Sequence, residues 1–302
     1  MDEVTFIAGI RFLLWLFRTV GRLPFLVCLY PAVCFYYLTN PRARAASREY
    51  FARLRRKPAS ARTVFRHFMS FADSILDSLL VWSHAPNAIH IERHNQHVLT
   101  DRLAQGRGGL IITAHVGNAS LCRALSTART DLKLNVFAHT KHAEAFNRLL
   151  EELNPESAVS LMQVTELSAE TAIRISERVS QGEFVVIAGD RVPLSIDPRT
   201  VMADFLGEQA PFPVGPYVLA SVLRCPAYLL FCMKQGEDYH VYYELFREEI
   251  QLPRRGREAA LTELAGAYAK RVAHYCRLEP LQWFNFYDFW AVPQPVVTDA
   301  AR

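Results

Sequence analysis

Apolar and polar positions alternate with several different periods along this chain. From Thr63 to Trp82, Phe65, Phe68, Met69, Ala72, Ile75, Leu76 and Leu79 recur three or four residues apart, which predicts one amphipathic helix. IHIERHNQHV, from Ile89 to Val98, alternates with period two and then changes, as a strand leading into a helix start does. Four short runs follow: GLIITA from Gly109, KLNVFA from Lys133, Val159–Val164, and the wholly apolar FVVIA from Phe184. Helical patterns over 118–129, 142–153 and 167–180 separate them, the last closed by Gly182. Ala227–Met233 and Val241–Phe246 are two further strands around a GED turn, which suits an antiparallel hairpin. A long helix over 256–277 follows.

Strands that are apolar on both faces and alternate with helices imply a mainly parallel sheet covered on both sides, so the fold class is α/β. The amino-terminal segment is different. It reads FIAGIRFLLWLFRTVGRLPFLVCLYPAVCFYYLTN, with arginines in its first half and no charge from Leu23 to Leu38. That uncharged stretch is shorter than the ~20 residues of a simple spanning helix and contains Pro24 and Pro31. A membrane-anchoring helix, an interfacial helix pair and a buried hairpin all remain open, and no signal-peptide cleavage site is apparent. Residues 1–62 are therefore expected to form a helical, membrane-associated segment ahead of an α/β domain over 63–302.

Composition sharpens this picture at one place. The formal net charge is +4, yet from Arg42 to Arg66 basic residues are opposed only by Glu49. Directly after an apolar segment, such a block points to anionic headgroups on the cytoplasmic face of a membrane. Nucleic acid is not expected, since no RNP-like strand, zinc-finger spacing or helix-turn-helix pattern accompanies the arginines. The six cysteines form no CxxC pair and read as buried free thiols.

Candidate chemistry collects where strands end. His115, in TAHVGNASLCRAL, follows the first strand of the repeat and precedes Gly117 at a strand-to-helix junction. Ligands of open α/β sheets gather at such carboxyl ends. Asp190 and Arg191, in VVIAGDRVP, leave the apolar run at 184–188 in the same way, and the arginine suits a phosphate or an oxyanion. FLGEQAPFPVGPYVLA, from 205 to 220, reads as a rigid loop leading into a helix, with Phe205, Gly207, Phe212 and Pro213 lining an apolar groove. His90, His94 and His97 raise a metal site, but their alternation with Glu92 and Arg93 reads as an exposed strand, and no metal is expected. Ser120 with His115 does not make a hydrolase nucleophile elbow, because G-x-S-x-G is absent from GNASLC.

The order of these segments resembles the late acyltransferases of lipid A biosynthesis, within the lysophospholipid acyltransferase superfamily, and more closely a divergent branch of them. The features are His115, Asp190 in GDRVP, the Phe205–Gly207 loop with Ala210, Pro213 and Gly215, and PLQWFNFYDFW from Pro280 to Trp290. The resemblance implies transfer of a fatty acyl group from acyl carrier protein or acyl-coenzyme A to a hydroxyl or amine of a membrane lipid or glycolipid. It implies His115 as general base, no cofactor, and a place on the cytoplasmic face of a bacterial inner membrane. The pattern breaks at Ser120, where the family carries an acid. Either another acid such as Asp190 supplies the carboxylate, or the dyad is weakened, or the protein only binds lipid. The family's arginine after the next strand is replaced by His139, Lys141 and His142, candidates for a donor phosphate or an acceptor headgroup.

Overall fold

Helix α1 (Arg22–Thr39) ends at Asn40, whose side chain then caps helix α2 (Pro41–Arg55) by accepting from the Ala43 amide at 3.1 Å. The basic block is therefore mostly helix. Its apolar stripe of Ala43, Ala46, Tyr50 and Phe51 is buried at spacings of three and four, while Arg42, Arg48, Arg55 and Arg56 stay exposed. Helix α3 (Ala61–Trp82) buries Val64, Phe68 and Leu76. Tyr30, Tyr36 and Tyr37 of α1 pack on Phe65 and Phe68 of α3 with ring centroids 5.2–5.8 Å apart. The structure is a computed structural model and describes residues 19, 21–82, 90–118, 121, 132–138, 159–163, 169–192 and 199–291. The helices expected over 118–129 and 142–153 fall largely or wholly outside these residues.

The strands are β1 (Ile91–His94), β2 (Gly109–Thr113), β3 (Leu134–Ala138), β4 (Val159–Gln163), β5 (Phe184–Ala188), β8 (Ala227–Gln235) and β9 (Asp238–Arg247), with a separate ribbon of β6 (Thr200–Phe205) and β7 (Glu208–Pro213). Further helices are α4 (His97–Ala104), α5 (Ala169–Ser180), α6 (Gly215–Leu223) and α7 (Arg257–Leu278). The seven-stranded sheet has the order β1-β9-β8-β2-β5-β3-β4. β8, β2, β5, β3 and β4 are parallel, β9 returns antiparallel to β8, and β1 follows β9. The fold is α/β with a mixed, mostly parallel sheet.

Alternate residues of β2 enter two cores. Leu110 and Ile112 face the larger one, with Tyr268 and Val272 of α7, while Ile111 joins Leu99 of α4 and Tyr228 of β8 on the other side. That double burial is why the strand reads as continuously apolar. Tyr50 and Phe51 of α2 enter the larger core as well, so the basic helix is packed on the α/β layers.

The expected rigid loop over 205–220 is instead the β6–β7 hairpin followed by α6. Leu206 and Gly207 form its two-residue turn with φ of 59° and 92°, the mirror-image turn whose twist suits paired strands. Pro211 and Pro213 make the text look like a loop, but a two-stranded ribbon has edges on which proline costs no ladder bond. Among the described residues, no helix is long and apolar enough to cross a membrane.

Candidate active site

β2 and β5 are neighbours in register, Thr113 beside Ala188, so the residues that follow them leave the same edge together. His115 comes two residues after β2 and Asp190 two after β5. The His115 ring Nδ1 lies 2.8 Å from Asp190 Oδ1, and the His115 amide donates to Asp190 Oδ2 at 2.9 Å. Asp190 is fully buried, whereas the His115 side chain is 33% exposed.

The other donors to the carboxylate come from the far end of the chain. Asn285 Nδ2 donates to Asp190 Oδ2 at 2.9 Å, and the Trp283 indole reaches the same oxygen at 3.4 Å. Burial alone would raise the Asp190 pKa; the charge and hydrogen bond of His115, helped by Arg191 and the His115 amide, overcome it and hold the carboxyl at about 2. An ionised carboxylate only accepts. The His115 proton therefore sits on Nδ1, which leaves Nε2 as the basic nitrogen. Among the described residues, no hydrogen bond occupies that nitrogen.

Residues 282–285 lie along 115–117 like an added strand. The Phe284 amide donates to the His115 carbonyl at 2.8 Å, the Gly117 amide donates to the Gln282 carbonyl at 2.7 Å, and Val116 bridges Trp283. Gly117 is required where the chain crosses β8. Its φ is 69°, and a Cβ there would stand 2.0 Å from the Cys232 carbonyl oxygen. The Gln282 side chain clips β8 at both polar groups of Lys234, accepting from its amide at 2.9 Å and donating to its carbonyl at 2.6 Å. On α3, buried His67 faces the Trp283 carbonyl through Nε2 at 2.9 Å and the Ser47 hydroxyl through Nδ1 at 2.9 Å.

Arg191 is exposed but partly committed: Nε donates to Asn285 Oδ1 at 2.8 Å and Nη2 to the Phe284 carbonyl at 3.0 Å. It therefore holds the residue that holds Asp190. Phe205 and Phe212 do not line an open groove as expected. Both are fully buried, with Phe205 against Trp283 and Trp290 and Phe212 against Tyr268 and Phe289, so they back the indole that reaches Asp190. Pro213 is also buried, at the end of β7, and Gly207 is at the open hairpin tip. Ser120, His139, Lys141 and His142 lie outside the described residues. Trp283 and Asn285 belong to the PLQWFNFYDFW stretch that carries the resemblance, but neither had a role at Asp190 legible in the sequence, and Tyr268 and His67 were not singled out at all. Tyr268 donates to the Thr113 carbonyl at 2.7 Å, just ahead of His115. A cavity of about 360 Å³ opens at the opposite edge of the sheet, lined by Leu103, Gly106, Lys133 and Glu183, away from the dyad.

A family model described as bacterial lipid A biosynthesis acyltransferase matches residues 57–291. The chain belongs to this family. The match spans both members of the dyad and the 280–290 segment that encloses them, and membership gives the chain an acyltransferase-type function. A search among curated proteins found no match.

Proposed function

We propose that this protein moves a fatty acyl group from the thioester of acyl carrier protein or acyl-coenzyme A to a hydroxyl or amine of a membrane lipid or glycolipid. The observation that carries the reading is the 2.8 Å contact between His115 Nδ1 and a buried, ionised Asp190, in a member of an acyltransferase family. His115 Nε2 takes the acceptor proton as the acceptor oxygen or nitrogen attacks the thioester carbonyl. Asp190 fixes the tautomer and stabilises the imidazolium that forms. The tetrahedral intermediate then breaks its C–S bond, and the imidazolium returns the proton to the leaving thiolate. One ester or amide and one free thiol result, with no redox change and no covalent acyl-enzyme. In this reading Asp190 fills the role that Ser120 lacks the charge for. In this reading Arg191 contacts a phosphate of donor or acceptor, and His139, Lys141 and His142 are candidates for the same role.

In the same reading the protein works at the cytoplasmic face of a bacterial inner membrane. Val27, Phe35 and Leu38 of α1 are 70–72% exposed, and the arginines of α2 follow directly. An apolar helix face beside cationic side chains suits an interface lined with anionic phospholipid.

The test is thiol release from acyl thioesters by the purified full chain in lipid vesicles, with acceptor lipids varied. Turnover that falls about 10²–10⁴-fold in His115→Ala, with an unchanged circular dichroism spectrum, supports the reading. A broad panel without turnover, together with unaltered lipid acylation in cells carrying His115→Ala, would leave a lipid-binding protein instead.

A further inference from the structure

At the edge of the sheet, β1 lies parallel to β9 with Glu92 opposite His240 and His94 opposite Tyr242. Residues two apart on a strand share a face, so Glu92, His94 and His240 project together. Their donor atoms converge. His94 Nε2 is 3.0 Å from His240 Nδ1 and 3.6 Å from Glu92 Oε1, and His240 Nδ1 is 3.4 Å from Glu92 Oε2. All three ligand atoms lie within 4.8 Å of one another.

We propose that Glu92, His94 and His240 bind one divalent transition-metal ion, with zinc as the best match. Metal–ligand bonds of about 2.0–2.1 Å at tetrahedral angles separate neighbouring donors by about 3.3 Å, and the observed separations bracket that value. Two imidazoles and a carboxylate are a donor set for zinc and its first-row neighbours rather than for calcium or magnesium. The rings are also held in place. Tyr242 stacks on His94 at 4.6 Å with planes 11° apart, and His94 is nearly parallel to His240. His240 is only 17% exposed, whereas Glu92 is 54% exposed, so the ion enters from solvent and keeps a fourth position for water. His240 on β9 is two strands from β2 and Glu92 and His94 on β1 are three, roughly 10–14 Å at the usual strand spacing, and the site supplies no group to the proposed transfer. Its effect is to staple the four-residue edge strand β1 to β9.

The experiment uses full-length protein stripped with a chelator, titrated with zinc chloride by calorimetry, and examined as the zinc complex by X-ray absorption. The expected result is one zinc per chain, bound by nitrogen and oxygen at about 2.0–2.1 Å with two imidazoles in the shell. Binding is lost in the His94→Ala/His240→Ala double variant and weakened at least about tenfold in Glu92→Gln, since loss of even an outer-shell partner of a metal ligand costs about 10–100-fold. Zinc raises the melting temperature of the parent and not of the double variant. Absence of zinc uptake overturns the proposal, as does equal uptake by the double variant. If that variant does not fold, the parent spectrum decides alone: a shell containing sulfur, or fewer than two imidazoles, overturns the site.

Discussion

Asp190 keeps its charge without any exposed surface because four N–H donors are aimed at its carboxylate. Its pKa is depressed from 3.8 to about 2, so the stability it contributes is fully present above about pH 4 and is lost as pH falls toward 2. That amounts to about 2 kcal/mol, readable as the difference between parent and Asp190→Asn in acid unfolding curves. Asp190→Asn also presents an amide N–H to Nδ1, or flips the ring to the wrong tautomer. Turnover is expected to fall about 10²–10⁴-fold with little change in KM. Ser120→Glu should bring no gain in thioester turnover, because Nδ1 already has its carboxylate. A rate increase in that variant would show that Asp190 is not the working acid. The pairing of His115 with Asp190 was legible in the sequence, since both follow apolar strands that end at one sheet edge. Trp283 and Asn285 were visible as part of the 280–290 signature, but their contacts with Asp190 were not. They come from a segment without regular secondary structure, placed by contacts more than 90 residues away in the chain.

Elements are joined to this site by a few polar pins. His67 links α2 and α3 to the Trp283 backbone, and burial lowers its pKa from 6.5 to about 4. The folded ring stays neutral while the unfolded one takes a proton, so stability is full above about pH 6.5 and falls as the pH drops toward 4. The loss reaches about 3 kcal/mol. Urea midpoints measured across that window should fall more steeply for the parent than for His67→Gln. Two glycines with positive φ differ in what they tolerate. Gly117→Ala meets the Cys232 carbonyl and should cost about 2–4 kcal/mol along with most activity. Gly207→Ala, with nothing within 4 Å, should cost about 1 kcal/mol and leave turnover nearly intact; thermal melts of the two variants check the contrast. Element types were readable where period was regular, as in α3 and β5. Helix α2 fell within the helical segment expected over 1–62, but its charge hid the buried stripe of Ala43, Ala46, Tyr50 and Phe51 that packs it on the core. The β6–β7 ribbon was hidden by its prolines.

At the scale of the molecule, the exposed side chains of α1 and the arginines of α2 occupy consecutive stretches of chain. Sedimentation with anionic vesicles should weaken with salt for the parent, since exposed charges are screened. Leu38→Asp with Phe35→Asp should abolish binding in both low and high salt, and arginine-to-glutamine changes at 42, 48, 55 and 56 should remove only the salt-sensitive part. Contacts across the molecule also order events in time. Tyr50 bonds to the Pro280 carbonyl across 230 positions, and His67 to Trp283 across 216. During synthesis the amino-terminal helices leave the ribosome long before Trp283 and Asn285 do. Until those two arrive, the carboxylate beside His115 lacks two of its donors and the cover of the indole. A nascent chain stopped at residue 279 would thus hold both dyad residues with only the two His115 donors on Asp190, and, on the proposed function, turnover is expected only after the amino-terminal helices have had the opportunity to reach a membrane.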